Sequence, residues 1–391
     1  MGIPRLRAYS GPAFLSYGFR PFFFLGALHA GLSVMLWLPM YTGELDAHSA
    51  LVPVDWHVHE MLFGYLPAIV TGFLLTAIPN WTGRLPVQGP PLLALVVLWI
   101  AGRAAVFFSA DIGWQAAAVI DVAFLLAVSA AAAREIVAGR NWRNLKVLLP
   151  LAVLAGANGA FHVEAHFQGT SDISRRLGIA AAIILISLIG GRIIPSFTRN
   201  WLVRENPGRL PAPFDRFDMA SIAISVAALG AWTVIPDSST SGLLMAAAAI
   251  CQAWRLSRWA GARTMRDPLV LVLHAAYAFV PVGLALVAAS NFFPNAVPAA
   301  AGFHALGAGA IGSMTLAVMA RATLGHTGRE LEAGKGTSFV FAAILLAGSL
   351  RTLGAFVPDD GVIHLAGAAW VAAFAGFILV YGTALMGPKA R

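Results

Sequence analysis

Apolar residues run along this chain in blocks of about twenty, separated by short breaks of Pro, Gly, Asn and charged residues. That is the length one helix needs to cross a hydrocarbon core of about 30 Å. The pattern predicts twelve helices, over 20–40, 57–79, 91–109, 114–133, 146–166, 177–197, 218–235, 241–260, 268–290, 297–320, 337–357 and 362–386. The connections are short, so the expected architecture is all-α, a polytopic membrane bundle forming one integral membrane domain over 1–391. The longest connection, from Pro195 to Phe217, is rich in Pro, Arg and Asn and reads as a loop. No clear internal repeat is visible, which weighs against inverted-repeat transporters.

Composition supports the same class. Hydrophobic residues make up 59% of the 391 and charged residues only 11%, whereas soluble domains carry about 45–50% and about 25%. An ordinary soluble enzyme is excluded. A single cysteine, Cys251, rules out an intrachain disulfide and a cysteine-ligated iron–sulfur cluster, so a bound metal must use His, Met or carboxylate. The start, Met1 to Phe19, is polar and interrupted by Pro4 and Pro12, so no cleavable signal peptide is expected.

The net charge of +8 is read as topology rather than nucleic-acid binding. One set of connections and span ends holds 21 of the 26 basic residues, among them Arg5, Arg7, Arg84, Arg209, Lys335 and Arg391; the opposite loops hold Arg175 and Arg176. Lys and Arg concentrate on the cytoplasmic side, so both termini are expected there.

With that orientation, His57, His59, His162, His166, His304 and His364 lie near the outer ends of spans, at one depth. Histidine inside a membrane is costly and points to function. At 100° per residue, His57 shares a face with Gly64, Ala68 and Gly72, and His304 lies above Gly307, Ala308 and Thr315. His162 shares one with Asn158, Gly159 and His166. Small residues beneath a histidine leave room for a flat macrocycle or for a closely packed helix. His57 and His59 are two residues apart and project from different sides of a helix, so a shared ion would need an irregular turn there. His162 and His166 lack the His-Glu-x-x-His arrangement, which removes support for zinc hydrolysis. Charges within spans are Arg103, Arg192 and Arg351, with acids Glu60, Asp121 and Glu164. An Arg fork suits a carboxylate such as a haem propionate; the alternative is snorkelling to headgroups.

Several runs resemble the NnrS family: YGFRPFFFLGALHA (17–30), WHVHEMLFGYLPAIVTGFLLTAIPNWTGR (56–84), GGRIIPSFTRNWL (190–202), LHAAYAFVPVG (273–283) and HALGAGAIGSMTLAVMARATLGHTGR (304–329). The resemblance implies an inner-membrane protein carrying haem and copper, linked to nitric oxide stress and denitrification. The family pattern carries over to His57, His59 and Glu60, to Arg192, Pro195 and Asn200, to His274 and Tyr277, to His304, Gly312 and His326, and to His162. His29, His166 and His364 are not assigned to the family pattern.

Three functions compete. The first is a haem–copper protein that binds nitric oxide and reduces it. Haem b and copper would be held by His57, His59, His162, His274 and His304, with His57 and His304 first for haem. Arg103, Arg192, Arg351 and Tyr277 would contact the cofactor, Glu60 would donate protons, and quinol would supply electrons. The second is a transporter or channel lined by the same residues. The third is a non-catalytic haem sensor or sink for nitric oxide.

Overall fold

The apolar blocks form long helices in the computed structural model, which describes residues 9–357 and 359–389. Arg5, Arg7 and Arg391 of the basic tally lie outside the described residues. Twelve helices correspond to the twelve apolar blocks: α1 Phe19–Thr42, α2 Pro53–Thr82, α3 Pro90–Phe107, α4 Trp114–Ala138, α5 Leu148–Gln168, α6 Asp172–Glu205, α7 Arg216–Val234, α8 Ser239–Ser257, α9 Pro268–Phe292, α10 Ala299–Thr327, α11 Lys335–Leu353 and α12 Asp360–Met386. Among the described residues there is no strand, and eleven of the helices are long and apolar enough to span a membrane. The remaining one, α8, carries Ser239, Thr240, Ser241, Gln252 and Arg255.

The connection expected over Pro195–Phe217 is shorter than its composition suggests. Helix α6 continues through Pro195 to Glu205, and the irregular segment is 206–215. A proline inside a helix removes one backbone bond and crowds the preceding turn. Here the turn just before it, Ile186–Gly190, is already a wider π-type turn, so the register has relaxed before the ring arrives.

Two other helices contain π-type turns, at Glu60–Tyr65 in α2 and Ala305–Gly312 in α10. These two share a layout that the sequence reading did not detect. In each, a histidine (His59, His304) immediately precedes the π-type turn and a glycine (Gly64, Gly309) follows five residues later. Each closes on Thr-Gly-Arg, at 82–84 and 327–329, with Gly83 and Gly328 left-handed. Most intervening positions differ, so the likeness emerges only once the turns are aligned.

The chain divides into two compact units. The first comprises the chain up to Gly178 with Ala322–Arg329 and Phe377 onward; the second comprises Ile179–Arg321 and Glu330–Gly376. In the first, α1 packs along α2 through Phe22, Phe23 and Ile69, and α3 lies against α4 with Gly102 on Asp121. At the far end of α2, Arg84 Nε donates to Glu135 Oε2 at 2.7 Å. Arg20, buried near the start of α1, donates to the carbonyls of Leu385 and Gly387 at 2.9 and 2.5 Å. It thereby satisfies the orphan acceptors at the end of α12.

In the second unit the core is a charged knot. The guanidinium of Arg255, fully buried, donates to Asp218 Oδ1 at 2.7 Å, to the Ser187 carbonyl at 2.9 Å and to Tyr277 Oη at 3.1 Å. Tyr277 in turn donates to Gln252 Oε1 at 2.7 Å. The Ser187 carbonyl belongs to the π-type turn of α6, so Arg255 holds that turn open. The guanidinium lies where a side chain on Gly191 would have to go. Gly191→Ala is therefore expected to cost about 1–3 kcal/mol by overpacking. Gly156→Ala on α5, where an added methyl meets nothing within 4 Å, should gain roughly 1 kcal/mol from helix propensity. Thermal unfolding in detergent checks the pair; equal melting of the two variants would refute the packing argument.

Helix α7 begins at a capping box, with Asp215 accepting from the amides of Phe217 and Asp218. Arg258, hydrogen-bonded to Asp215, holds that carboxyl down at about 2. A depressed folded-state value means the contact contributes fully above the ordinary Asp value of about 4, and the contribution is lost as pH falls through about 2.

Candidate metal centre

Two helix ends and a π-type turn build the polar centre of the first unit. His59 closes the first α-helical stretch of α2, and Glu60 opens the π-type turn that follows. The imidazole of His59 is fully enclosed, against Phe63 and Phe161 at ring separations of 5.5 and 5.2 Å. His162 from α5 approaches it edge-on at 4.8 Å. Between them stands Asp121 of α4. Its Oδ2 is 3.1 Å from His59 Nε2 and 3.2 Å from His162 Nε2. All three residues are buried, and their donor atoms lie within 4.8 Å of one another.

Charge is balanced by a second ring of residues. Arg103 of α3 bridges both acids, donating to Glu60 Oε1 at 2.6 Å and to Asp121 Oδ1. Glu60 Oε1 also lies 3.2 Å from His59 Nδ1, and Glu60 Oε2 lies 2.9 Å from His29 Nε2 of α1. Trp99 Nε1 donates to the Gly64 carbonyl at 3.0 Å. Gly64 has to be glycine: a Cβ there would stand 2.7 Å from Arg103 and 2.8 Å from His29.

With His59 neutral, the proton count within this group is short by one. Both ring nitrogens of His59 face oxygens: Nδ1 faces Glu60, and Nε2 faces Asn158 Oδ1 at 3.0 Å as well as Asp121. A neutral imidazole has one N–H, so one of its nitrogens meets acceptors with no hydrogen to share. A cation between His59 Nε2, Asp121 and His162 removes that conflict. Metal–ligand bonds of about 2.0–2.2 Å imply ligand–ligand edges of about 3.3 Å in a tetrahedral shell, close to the 3.1 and 3.2 Å found here. The chemistry and spacing fit a small ion. They do not fit a macrocycle, because the aromatic walls close on His59.

Other sequence-predicted residues are distributed elsewhere. His57 turns away from the trio and stacks on Trp37 of α1, at 4.3 Å and 26°, so the His57-x-His59 pair is divided between two environments. His304 is part-exposed, and its Nδ1 donates to the Ala300 carbonyl at 2.7 Å. That contact puts the ring hydrogen on Nδ1 and the lone pair on Nε2. Beneath it, Gly307 faces open space. His274 is buried: its Nε2 donates to Thr198 Oγ1 at 2.8 Å, because the Thr198 hydroxyl is itself given to Ile194. Its Nδ1 packs against Gly261. Tyr277 belongs to the Arg255 knot, Arg192 is exposed on α6, and Arg351 is half-buried near the end of α11. Glu164 accepts from the Ile173 and Ser174 amides at 2.7 and 2.9 Å, which caps the start of α6.

Sequence reasoning placed no role on His29 or Asn158 and treated Asp121 only as an acid in a span. A signal was present: Asn158 and His162 are four residues apart on one helical face. What the chain alone does not show is that α2, α4 and α5 meet at that level.

These features define a class, a polytopic helical membrane protein with a buried His–Asp–His group that could bind a metal. The chain belongs to the NnrS family: the family described as NnrS protein matches residues 13–389, nearly its whole length. No curated protein and no solved structure matches it.

Proposed function

We propose that this chain is a haem- and copper-binding protein of the bacterial inner membrane, with both termini cytoplasmic, that binds nitric oxide and reduces it. The observation supporting this most directly is the enclosed His59–Asp121–His162 group with Glu60 and Arg103 beside it. Those three residues would hold copper, which when bound would supply a redox-active Lewis acid for a diatomic ligand. Imidazole is a suitable donor for copper.

The surrounding residues supply the rest. Phe63 and Phe161 exclude water from His59. Arg103 keeps Glu60 and Asp121 together despite their like charge. Joining two nitric oxide molecules as nitrous oxide and water consumes two electrons and two protons. Glu60, in contact with His29 and His59 and paired with Arg103, would take up a proton and pass it on in that step. Quinol is the proposed electron source.

Haem b is assigned first to His304. An imidazole anchored through Nδ1 would present Nε2 in a fixed direction to a haem iron, and a Cβ on Gly307 would meet nothing within 4 Å, which would leave room beside the ring. Arg351, near the end of α11, is the proposed partner of its carboxylates.

Metal analysis and a reduced-minus-oxidised spectrum of the detergent-purified protein test this reading. Haem and copper should both be present. His304→Ala should lose or shift the Soret band, whereas His48→Ala, an exposed residue beside Asp111, should leave it unchanged. Absence of both cofactors would overturn the proposal and leave the transporter reading. A wild-type spectrum in His304→Ala would remove that residue as a ligand.

A further inference from the structure

The His–Asp–His group contains a fourth oxygen that belongs to no ionisable residue. Asn158 is completely buried on α5, one turn before His162. Its Oδ1 stands 3.0 Å from His59 Nε2, the same nitrogen that faces Asp121 Oδ2 at 3.1 Å. The amide nitrogen of Asn158 has no hydrogen-bond partner in the protein. A fully buried amide whose oxygen faces a ring nitrogen, and whose N–H2 is left unused, is costly.

We propose that Asn158 is a metal ligand, its side-chain oxygen completing a shell of two imidazole nitrogens, one carboxylate oxygen and one amide oxygen. This rests on the reading of the trio as a metal centre and adds to it the fourth donor and the class of ion. Three of the six edges of such a shell, 3.0, 3.1 and 3.2 Å, are nearly equal, as edges of one coordination polyhedron are. Half of the donors are hard oxygens. The shell therefore suits a borderline first-row divalent ion, such as cupric copper or zinc, better than a soft monovalent one. The amide carries no charge, so it adds a donor without enlarging the negative charge that Arg103 has to balance.

A reversed amide is the competing arrangement. Its N–H2 would donate to His59 Nε2 while His59 Nδ1–H donates to Glu60, leaving Asn158 as a hydrogen-bonding neighbour and not a ligand. The two arrangements give different outcomes with added Cu2+. Full-length protein in detergent is stripped with a chelator and reloaded with one equivalent of Cu2+. The wild type, Asn158→Leu and Asn158→Asp are then compared by competition titration and by electron paramagnetic resonance.

If Asn158 is a ligand, Asn158→Leu weakens Cu2+ binding by about tenfold or more, and its copper hyperfine pattern changes because another donor takes the place of the amide. Asn158→Asp keeps an oxygen donor but makes it anionic, so binding is retained and the pattern shifts again. Gel-filtration profiles matching the wild type establish that each variant is folded, and Asn158→Asp provides the comparison should Asn158→Leu not accumulate. A copper pattern identical to the wild type in Asn158→Asp, or in both variants, overturns the proposal while leaving the His–Asp–His centre intact. Failure of the wild type itself to bind Cu2+ or Zn2+ overturns the metal reading as a whole.

Discussion

Asp121→Ala is expected to be the most damaging single change in the first unit. Arg103 has a side chain only 10% exposed and divides its guanidinium between Glu60 and Asp121. Removing Asp121 leaves Arg103 paired with Glu60 alone, so the charge stays balanced and the cost is that of buried donors losing their acceptor, about 1–3 kcal/mol. It also deletes the oxygen shared by His59 and His162, so metal content should fall to background. Asp121→Asn should separate the two effects, because the amide retains the shape and one oxygen but loses the charge that holds the ion. Its fold should survive with metal retention strongly reduced. The double change Asp121→Leu with Arg103→Met also takes the guanidinium away from buried Glu60. It should melt below Asp121→Ala while still lacking metal. Thermal unfolding in detergent and metal analysis on the same preparations check all three, and equal melting of the single and double variants would disprove the ion-pair account.

Glu60→Gln should have the largest effect on turnover with the least effect on the fold. Its carboxylate receives Arg103 at 2.6 Å and His29 at 2.9 Å, and Gln preserves volume and one acceptor oxygen. Haem and copper contents should stay near those of the wild type. Consumption of nitric oxide with a reductant should fall by about 10²–10⁴-fold, the usual contribution of a positioned proton donor. An undiminished rate would remove Glu60 from proton delivery. A loss of copper together with rate would instead assign Glu60 to holding His59, which it contacts at 3.2 Å.

How far the sequence could be read depended on the range of the interaction involved. Hydrophobic block length reports a local requirement, so all twelve helices were visible, and the family resemblance was carried by contiguous runs such as 56–84 and 304–329. Proline chemistry misled where a neighbouring turn compensated. Pro195 signalled a loop, but the π-type turn at Ile186–Gly190 let α6 continue to Glu205. The equivalence of His59 and His304 stayed hidden for a related reason. It rests on five shared residues spread along each helix among positions that mostly differ, and where each helix widens and ends brings them into line.

The candidate centre was legible only as a list of parts. Depth alone grouped His57 with His59 and gave His304 equal standing. The direction a side chain takes from its helix is set by packing against other helices, and it separated these residues: His57 onto Trp37, His59 onto Asp121 and His162. Arg103 looked like a cofactor's counter-charge, and the structure pairs it with two acids of the protein itself. The sequence by itself determined the class of protein, the number of its helices and the residue types available for metal binding, because these follow from local hydropathy and composition. Only the tertiary structure decided which donors converge, because His59, Asp121, Asn158 and His162 come from three helices far apart in the chain, and only packing brings them to one level.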